Sequence, residues 1–524
     1  MENMTRTELE EFGLDPDTIF LHQKRILSFL ADQTQSALPV RDTCRIDNGG
    51  ITPFNKIQAL VDRIGSGNEL HSVVAFVPAA GAASRYFQPL MPLMEALQQK
   101  DEDGINQAIT ALKSAGAEGW ALPPALKEAV IAKQSVSVAL EKREQILEEI
   151  NLAKALQPAV PSGESFLQLK NLEHSLMQGI SGQVYIVPAD QSGKFAEILQ
   201  KSDPLNKLPS FFLEQGPKLS TIRFQPDGSP YRDEAGQLSP VPAGHGTLIH
   251  LIPEVKKLIP ESQTIFIRNI DNVMGSRKEA LTATVSFLKA HQWLLDQVQT
   301  MRRHLQEASL QAGHDAANQV LEIYGSPLVK EKDLLDFLQD IPPAERPYWQ
   351  VLINVFHCSR HFARQEIASA DSSLQALKKL MQRPVNSLGQ VPNSGKDVGG
   401  TPVFTESSGL PLTICLEVPH ASEEDKQKFL SNPEKATHFN PVFVASEITS
   451  PAAYERERSP FWILAKKTIG SSSVVYHETV LYELLGNSIL ANVVFPEIPR
   501  LLFHPHKSLS DSYGRCREDW VKPE

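Results

Sequence analysis

The sequence of 524 residues is poor in the features that mark several large protein classes, and each shortage excludes one of them. Cysteine occurs four times, at Cys44, Cys358, Cys415 and Cys516, with no Cys-x-x-Cys pair and no metal-ligand spacing. A disulfide scaffold and a zinc module are therefore excluded, and buried free thiols in a reducing compartment are expected. No window reaches the roughly eighteen uninterrupted apolar residues of a membrane span. The opening, MENMTRTELEEFGLDPDTIF, lacks the apolar centre of a signal peptide, so the expected location is the cytoplasm. Basic residues are the minority sign: 51 Lys and Arg against 62 Asp and Glu give a net charge of -11. Such a surface repels nucleic acid and anionic lipid on average, so neither is an expected partner. An anionic ligand would need a locally positive pocket built against that field. Repeats, heptad arrays and low-complexity tracts are missing, as are a Gly-x-Ser-x-Gly elbow and a His-Glu-x-x-His pair.

What is present is ordinary globular material, 41% hydrophobic and 22% charged, enough for two or three domains or one large domain with insertions. Residues 1–70 read as a helical lead-in, with helical spacing in LDPDTIFLHQKRILSFL after an Asp cap. HSVVAFVPA, GQVYIVPA (182–189) and QTIFIRNIDNVM (263–274) read as buried strands. Residues 90–157 are helix-rich, and the stretch from Pro123 and Pro124 to Leu156 is the clearest helical piece. Further helical regions lie at roughly 277–323 and 345–382. From Arg383 onward, strands joined by Gly, Asn and Pro turns take over. The alternation implies an α/β fold with a mostly parallel sheet. The organisation expected is an extension at 1–70, an α/β domain at 71–382 with a helical insertion at about 91–150, and a strand-rich part at 383–524.

Four segments carry candidate chemistry. In VVAFVPAAGAASRYF an apolar strand feeds a small-residue turn, Ala80-Gly81-Ala82-Ala83-Ser84, followed by Arg85. Backbone N–H groups at such a turn and the fork of an arginine suit a phosphate, and tight strand–helix packing would equally select small residues. Lys154 precedes a proline-punctuated segment, where a lone lysine is usually a surface charge. Gly244-His245-Gly246 lets a flat ligand lie against the main chain, or makes a turn with a capping histidine. Asp271 closes an apolar strand, where a carboxylate can hold a divalent cation or cap a turn. His504-Pro505-His506 reads as a surface turn near the C-terminus.

The order of these pieces, with RPVNSLGQVPNSGKDVGG, ATHFNPV and LLGNSILANVVFPEIP further on, resembles the sugar-1-phosphate nucleotidyltransferases. It is similar above all to the UDP-sugar pyrophosphorylases, and more narrowly to a bacterial family described as domain of unknown function 4301. The resemblance runs from about residue 70 to 511. It implies a nucleotide-diphospho-sugar transferase-like fold, with a Rossmann-like mixed sheet flanked by helices, and the strand-rich part completing the sugar and phosphate side of the cleft. It implies that Ala80, Gly81, Ala82, Ala83 and Ser84 face the nucleotide phosphates, with Gly244, His245 and Gly246 beside the base or ribose. Arg85, Lys154 and Asp271 would be catalytic, with Asp271 holding Mg²⁺. Asn269, Glu417, Asn440, Lys466 and Lys467 would contact sugar or phosphate. The implied partners are a nucleoside triphosphate, UTP first, and a sugar-1-phosphate. Two departures bear on competence: Ala83 stands where the enzymes carry a second loop glycine, and Ala153 where a proline precedes the lysine. A non-catalytic nucleotide or nucleotide-sugar binder and a glycosyltransferase are the alternatives.

Overall fold

The computed structural model describes residues 4–31, 38–65, 69–81, 86–202, 208–326, 331–395, 399–407, 409–449, 462–469 and 472–511. Seven strands build a mixed, mostly parallel sheet flanked by helices: Val73–Pro78 (β1), Ile180–Val187 (β2), Ser210–Glu214 (β3), Thr264–Arg268 (β4), Val385–Leu388 (β5), Phe443–Glu447 (β6) and Asn492–Val494 (β7). Their order is β7-β5-β6-β4-β1-β2-β3. β2 pairs parallel with β3 and β7 parallel with β5, while β6 runs antiparallel to β5. The unbroken apolar run of β1 and the five buried residues of β4 are what a strand covered on both faces requires. Strands β2 and β3 lie to one side of β1 and β4 to the other. In open α/β sheets, ligands sit outside the carboxyl ends of strands at such a reversal.

The third expected strand, 263–274, is shorter than its apolar pattern suggested and ends at Arg268. Beyond it the backbone hydrogen bonds turn local, as when Asn272 N–H donates to Asn269 O at 3.3 Å. The chain clusters into two compact units, each discontinuous in sequence. The first comprises Met1–Val73, Gln215–Ile267 and Ser286–Arg500, and the second Val74–Glu214, Arg268–Val285 and Leu501–Glu524.

In the second unit, five helices between Met91 and Ile150 bury Leu93, Leu97, Ile109, Leu126 and Ile146 in one core with Val77, Tyr185 and Val187. The helical piece expected after Pro123 is three helices, Pro124–Ile131, Ser135–Glu141 and Arg143–Ile150. Pro123 is the N-cap and Pro124 the first helical residue, where a missing N–H costs nothing.

In the first unit the lead-in helix is Pro16–Ala31. The expected helical region 277–323 contains a break after Gln306, where Ala308 takes a positive φ of 56° before the helix His314–Tyr324. A separate antiparallel sheet joins Val40–Thr43, Thr401–Ser407 and Leu410–Leu416. Cys44, Cys358 and Cys415 are buried free thiols, while Cys516 lies outside the described residues. Among the described residues no helix is long and apolar enough to cross a membrane.

Candidate functional site

Lys154 opens a short 3-10 turn, Lys154–Leu156, and is only 5% exposed. Its Nζ donates to Asp271 Oδ2 at 3.1 Å and to the carbonyl oxygen of His506. The ammonium also stands over the rings of Tyr86 and Phe166, 4.6 and 5.3 Å from their centroids. Lys507, whose side chain is 59% exposed, donates to the same carboxylate oxygen at 2.9 Å. Burial draws the Lys154 ammonium below its ordinary pKa, against the pull of Asp271. Burial would raise the Asp271 carboxyl, but Lys154 and Lys507 outweigh it and hold the group below 3.8. Asp271 is therefore a carboxylate at neutral pH, with Oδ2 shared by two cations. Its Oδ1 is buried and has no hydrogen-bond partner among the described residues.

The loop bearing Asp271 is clamped by a buried ionic network. Glu173, on the helix Phe166–Leu176, accepts the Met274 N–H and the Gly275 N–H, the latter at 2.9 Å. Its other oxygen pairs with Lys170 at 3.0 Å and with Arg268 at 2.9 Å. Both cations also donate to the Asn272 carbonyl oxygen, Arg268 at 2.7 Å. Burial would raise the Glu173 pKa, but Lys170 and Arg268 reverse that and hold it well below 4.5. From the opposite side, Asn272 donates to Leu502 O at 3.0 Å and accepts the His504 N–H at 2.8 Å, and His506 N–H donates to Asp271 O at 3.0 Å. The loop is thus held at Asp271, Asn272, Met274 and Gly275 by charged or main-chain partners, which sets the carboxylate's position.

Two of the residues expected from sequence, Lys154 and Asp271, therefore meet. Asn269, two residues before Asp271, is half-buried, and its carbonyl accepts the Asn272 N–H at 3.3 Å. Ala80 is half-buried, and Gly81 is exposed with nothing within 4 Å of where a Cβ would stand. Ala82, Ala83, Ser84 and Arg85 lie outside the described residues.

The remaining candidates belong to the first unit. Gly244 has a positive φ of 84°, and a Cβ there would fall 2.4 Å from Glu478 Cγ and from Thr479 O. Gly246 likewise leaves room for Thr479 and donates its N–H to Thr479 O at 2.8 Å. The close approach these glycines permit is to the chain's own strand, and the intervening His245 is half-buried. Glu417 N–H donates to Glu483 Oε1 at 2.8 Å, and His420 Nδ1 lies 2.6 Å from that oxygen. Asn440 is buried and spends its side chain on Gly389 O at 2.8 Å and the Val442 N–H at 2.9 Å. Lys466 and Lys467 are exposed on the hairpin Ile463–Ile469/Ser472–Glu478.

One expectation is corrected. His506 is not part of a surface turn: it is fully buried, packs edge-on against Phe166 at 5.6 Å and supplies the carbonyl that Lys154 binds. Burial and the neighbouring Lys154 push its pKa down to about 4. Sequence reasoning also missed Lys170, Glu173 and Lys507. A signal was present for Arg268 alone, since an arginine inside an apolar strand must have a buried partner.

Fold and site define an α/β protein with a shielded Lys–Asp pair at the carboxyl end of a sheet strand. Residues 195–329 match the model of the domain of unknown function DUF4301. Solved structures with similar folds include a mutant UDP-glucose pyrophosphorylase from Leishmania major in complex with UDP-glc, at 11% identity over 97% of this chain and 79% of that one, with a TM-score of 0.43. Another is the UDP-N-acetylglucosamine pyrophosphorylase of Trypanosoma brucei in complex with inhibitor, at 12% identity, 98% and 79% coverage, and a TM-score of 0.42. No curated protein matches the sequence.

Proposed function

We propose that the chain is a sugar-1-phosphate nucleotidyltransferase, joining a nucleoside triphosphate, UTP first, to a sugar-1-phosphate with release of pyrophosphate. The observation that carries this reading is the pairing of Lys154 with Asp271, 117 residues apart in sequence, just beyond the carboxyl end of β4. In the reaction an oxygen of the sugar phosphate attacks the α-phosphorus, and the bond to the β-phosphate oxygen breaks as the new bond forms. Both reactants are anions, so alignment and charge neutralisation carry the catalysis, and no residue needs to form a covalent intermediate. Lys507 is the exposed cation that meets the phosphates, and Lys154 backs it from a shielded position.

Asp271 Oδ1, buried without a partner, fits a single inner-sphere bond to Mg²⁺. The remaining ligands would be phosphate oxygens and water, because no group of three or more His, Cys, Asp or Glu suited to a metal occurs among the described residues. Mg²⁺ carried in on the triphosphate would supply charge neutralisation there.

The test is pyrophosphate release from the purified chain with Mg²⁺, the common triphosphates and a panel of sugar phosphates. Asp271→Asn keeps the shape and should lower kcat by about 100-fold or more. Undiminished turnover in that variant would remove Asp271 from the reaction. No pyrophosphate release by the unmodified chain would overturn the assignment.

One feature favours a second reading, a nucleotide or nucleotide-sugar binder without turnover. Lys154 is already committed to two protein oxygens and shielded by two rings. Thermal stabilisation by nucleotides without pyrophosphate formation would select it. Nucleoside diphosphate release from a nucleotide sugar would point instead to glycosyl transfer.

A further inference from the structure

A cavity of about 700 Å³ opens in the first unit, within the size range of small-molecule sites. Its walls come from the sheet Val40–Thr43/Thr401–Ser407/Leu410–Leu416 and from the turn joining the helices Arg346–Asn354 and Arg360–Ser369. Arg41, Arg360 and Arg364 line it together with His357 and His361, and its described lining contains no Asp or Glu. In a chain with 62 acidic residues against 51 basic ones, a carboxylate-free wall with three arginines departs sharply from the average surface. Ser359 caps the ten-residue helix Arg360–Ser369, accepting the Phe362 N–H at 3.2 Å, so that helix's first turn, with its partial positive charge, also faces the cavity.

A second, independent observation points to a ligand. Thr413 lines the cavity, is 2% exposed, and its Oγ1 has no hydrogen-bond partner among the described residues. Asn354 Oδ1, on the same wall, is likewise buried and unpartnered. Buried polar groups are normally satisfied, and leaving one unmade is costly, so unpartnered atoms on two residues that line one cavity mark the place of an absent polar partner. Phe404, Leu412, Pro411 and Ile353 make part of the wall apolar, beside the polar Asn48, Ser326 and Thr405, and the His357 ring lies against Phe495 at 5.8 Å.

We infer that this cavity is a binding site for a small phosphomonoester carrying a ring or apolar body, separate from the Lys154–Asp271 site. Guanidinium groups suit it because their planar forks match phosphate oxygens two at a time. Arg41 is also held by Glu406 at 2.9 Å and Arg364 stands over Phe337 at 5.9 Å, so both are pre-positioned at the rim. A free inorganic anion would leave the apolar wall unused, which is the reason for assigning an organic phosphate.

The experiment is calorimetric titration of the full chain with phenyl phosphate, with inorganic phosphate and phenol as the two halves of the probe. Phenyl phosphate should bind saturably at one site and more tightly than either half. Arg360→Ala should weaken it at least tenfold, and Thr413→Val should weaken it by a smaller factor, with Thr413→Val retaining the circular dichroism of the parent. Lys507→Ala, in the other site, should leave the affinity unchanged. Absence of saturable binding overturns the inference. So does an affinity unaltered in both Arg360→Ala and Thr413→Val, or a loss seen only in Lys507→Ala.

Discussion

The second unit's ionic cluster and the first unit's cavity are both rich in cations, yet they treat charge in opposite ways. Around Glu173 every cation has an anion and nearly every polar atom has a partner: Lys170 and Arg268 are fully buried, and each is matched to the carboxylate and to a backbone carbonyl. Around the cavity, Arg41, Arg360 and Arg364 line a wall whose described lining holds no carboxylate, although Arg41 pairs with Glu406 outside that lining, and Thr413 Oγ1 and Asn354 Oδ1 have no partner among the described residues. A closed network serves position, because its members are already satisfied and can only hold each other still. The oxygens of Thr413 and Asn354, unpartnered among the described residues, keep hydrogen-bonding capacity that a ligand can use. The Lys154–Asp271 pair combines the two: Oδ2 is closed off by two ammonium groups, and Oδ1, though buried, has no partner among the described residues.

The contrast can be broken most forcefully at Glu173. Glu173→Gln leaves two buried cations without their anion, and removing one partner of a buried pair costs about 3–5 kcal/mol. Urea unfolding should register that loss, and a change below about 1 kcal/mol would mean the network is not closed. Acid is the next lever. Burial lowers the His174 pKa to about 4 from 6.5, and His506 behaves alike. The unfolded chain therefore binds protons between pH 6.5 and 4 that the folded chain does not. The histidines' contribution to stability should be complete above pH 6.5 and be lost as the pH drops to 4, with Glu173 adding further loss below about 4.5. A flat thermal midpoint between pH 7 and 4.5 would contradict buried, neutral histidines.

Gly244→Ala tests close packing rather than charge. A methyl group 2.4 Å from Thr479 O at a φ of 84° should destabilise the chain by about 1–3 kcal/mol, as judged by thermal unfolding. The smallest effect is the sharpest discriminator. Thr413→Val removes a buried hydroxyl without a hydrogen-bond partner among the described residues and should be neutral or stabilising by up to about 1 kcal/mol, the reverse of Glu173→Gln.

Periodicity and apolar runs made much of the sheet legible. β1 and β4 are apolar strands covered on both faces, and the helices after Pro123 announce themselves by proline placement. Boundaries were less legible, since the apolar pattern of 263–274 continues past Arg268 although the strand does not. For the site, the order of motifs named Lys154 and Asp271, and the fold brings them to 3.1 Å. Asn440 shows the opposite case: its side chain is consumed by the turn at Val442, whose φ of 58° needs local support.

By itself the sequence determined the α/β character and the buried strands, because these follow from local periodicity, while Lys154 and Asp271 were singled out only by the resemblance in motif order. Tertiary structure alone decided that Glu173 clamps the Asp271 loop, that His506 is interior, and that Arg41 and Arg360 line one cavity although far apart in sequence. The physical reason is that burial and pairing are properties of neighbours in space. A lysine's letter is the same whether its ammonium lies sealed against a carboxylate or free in water.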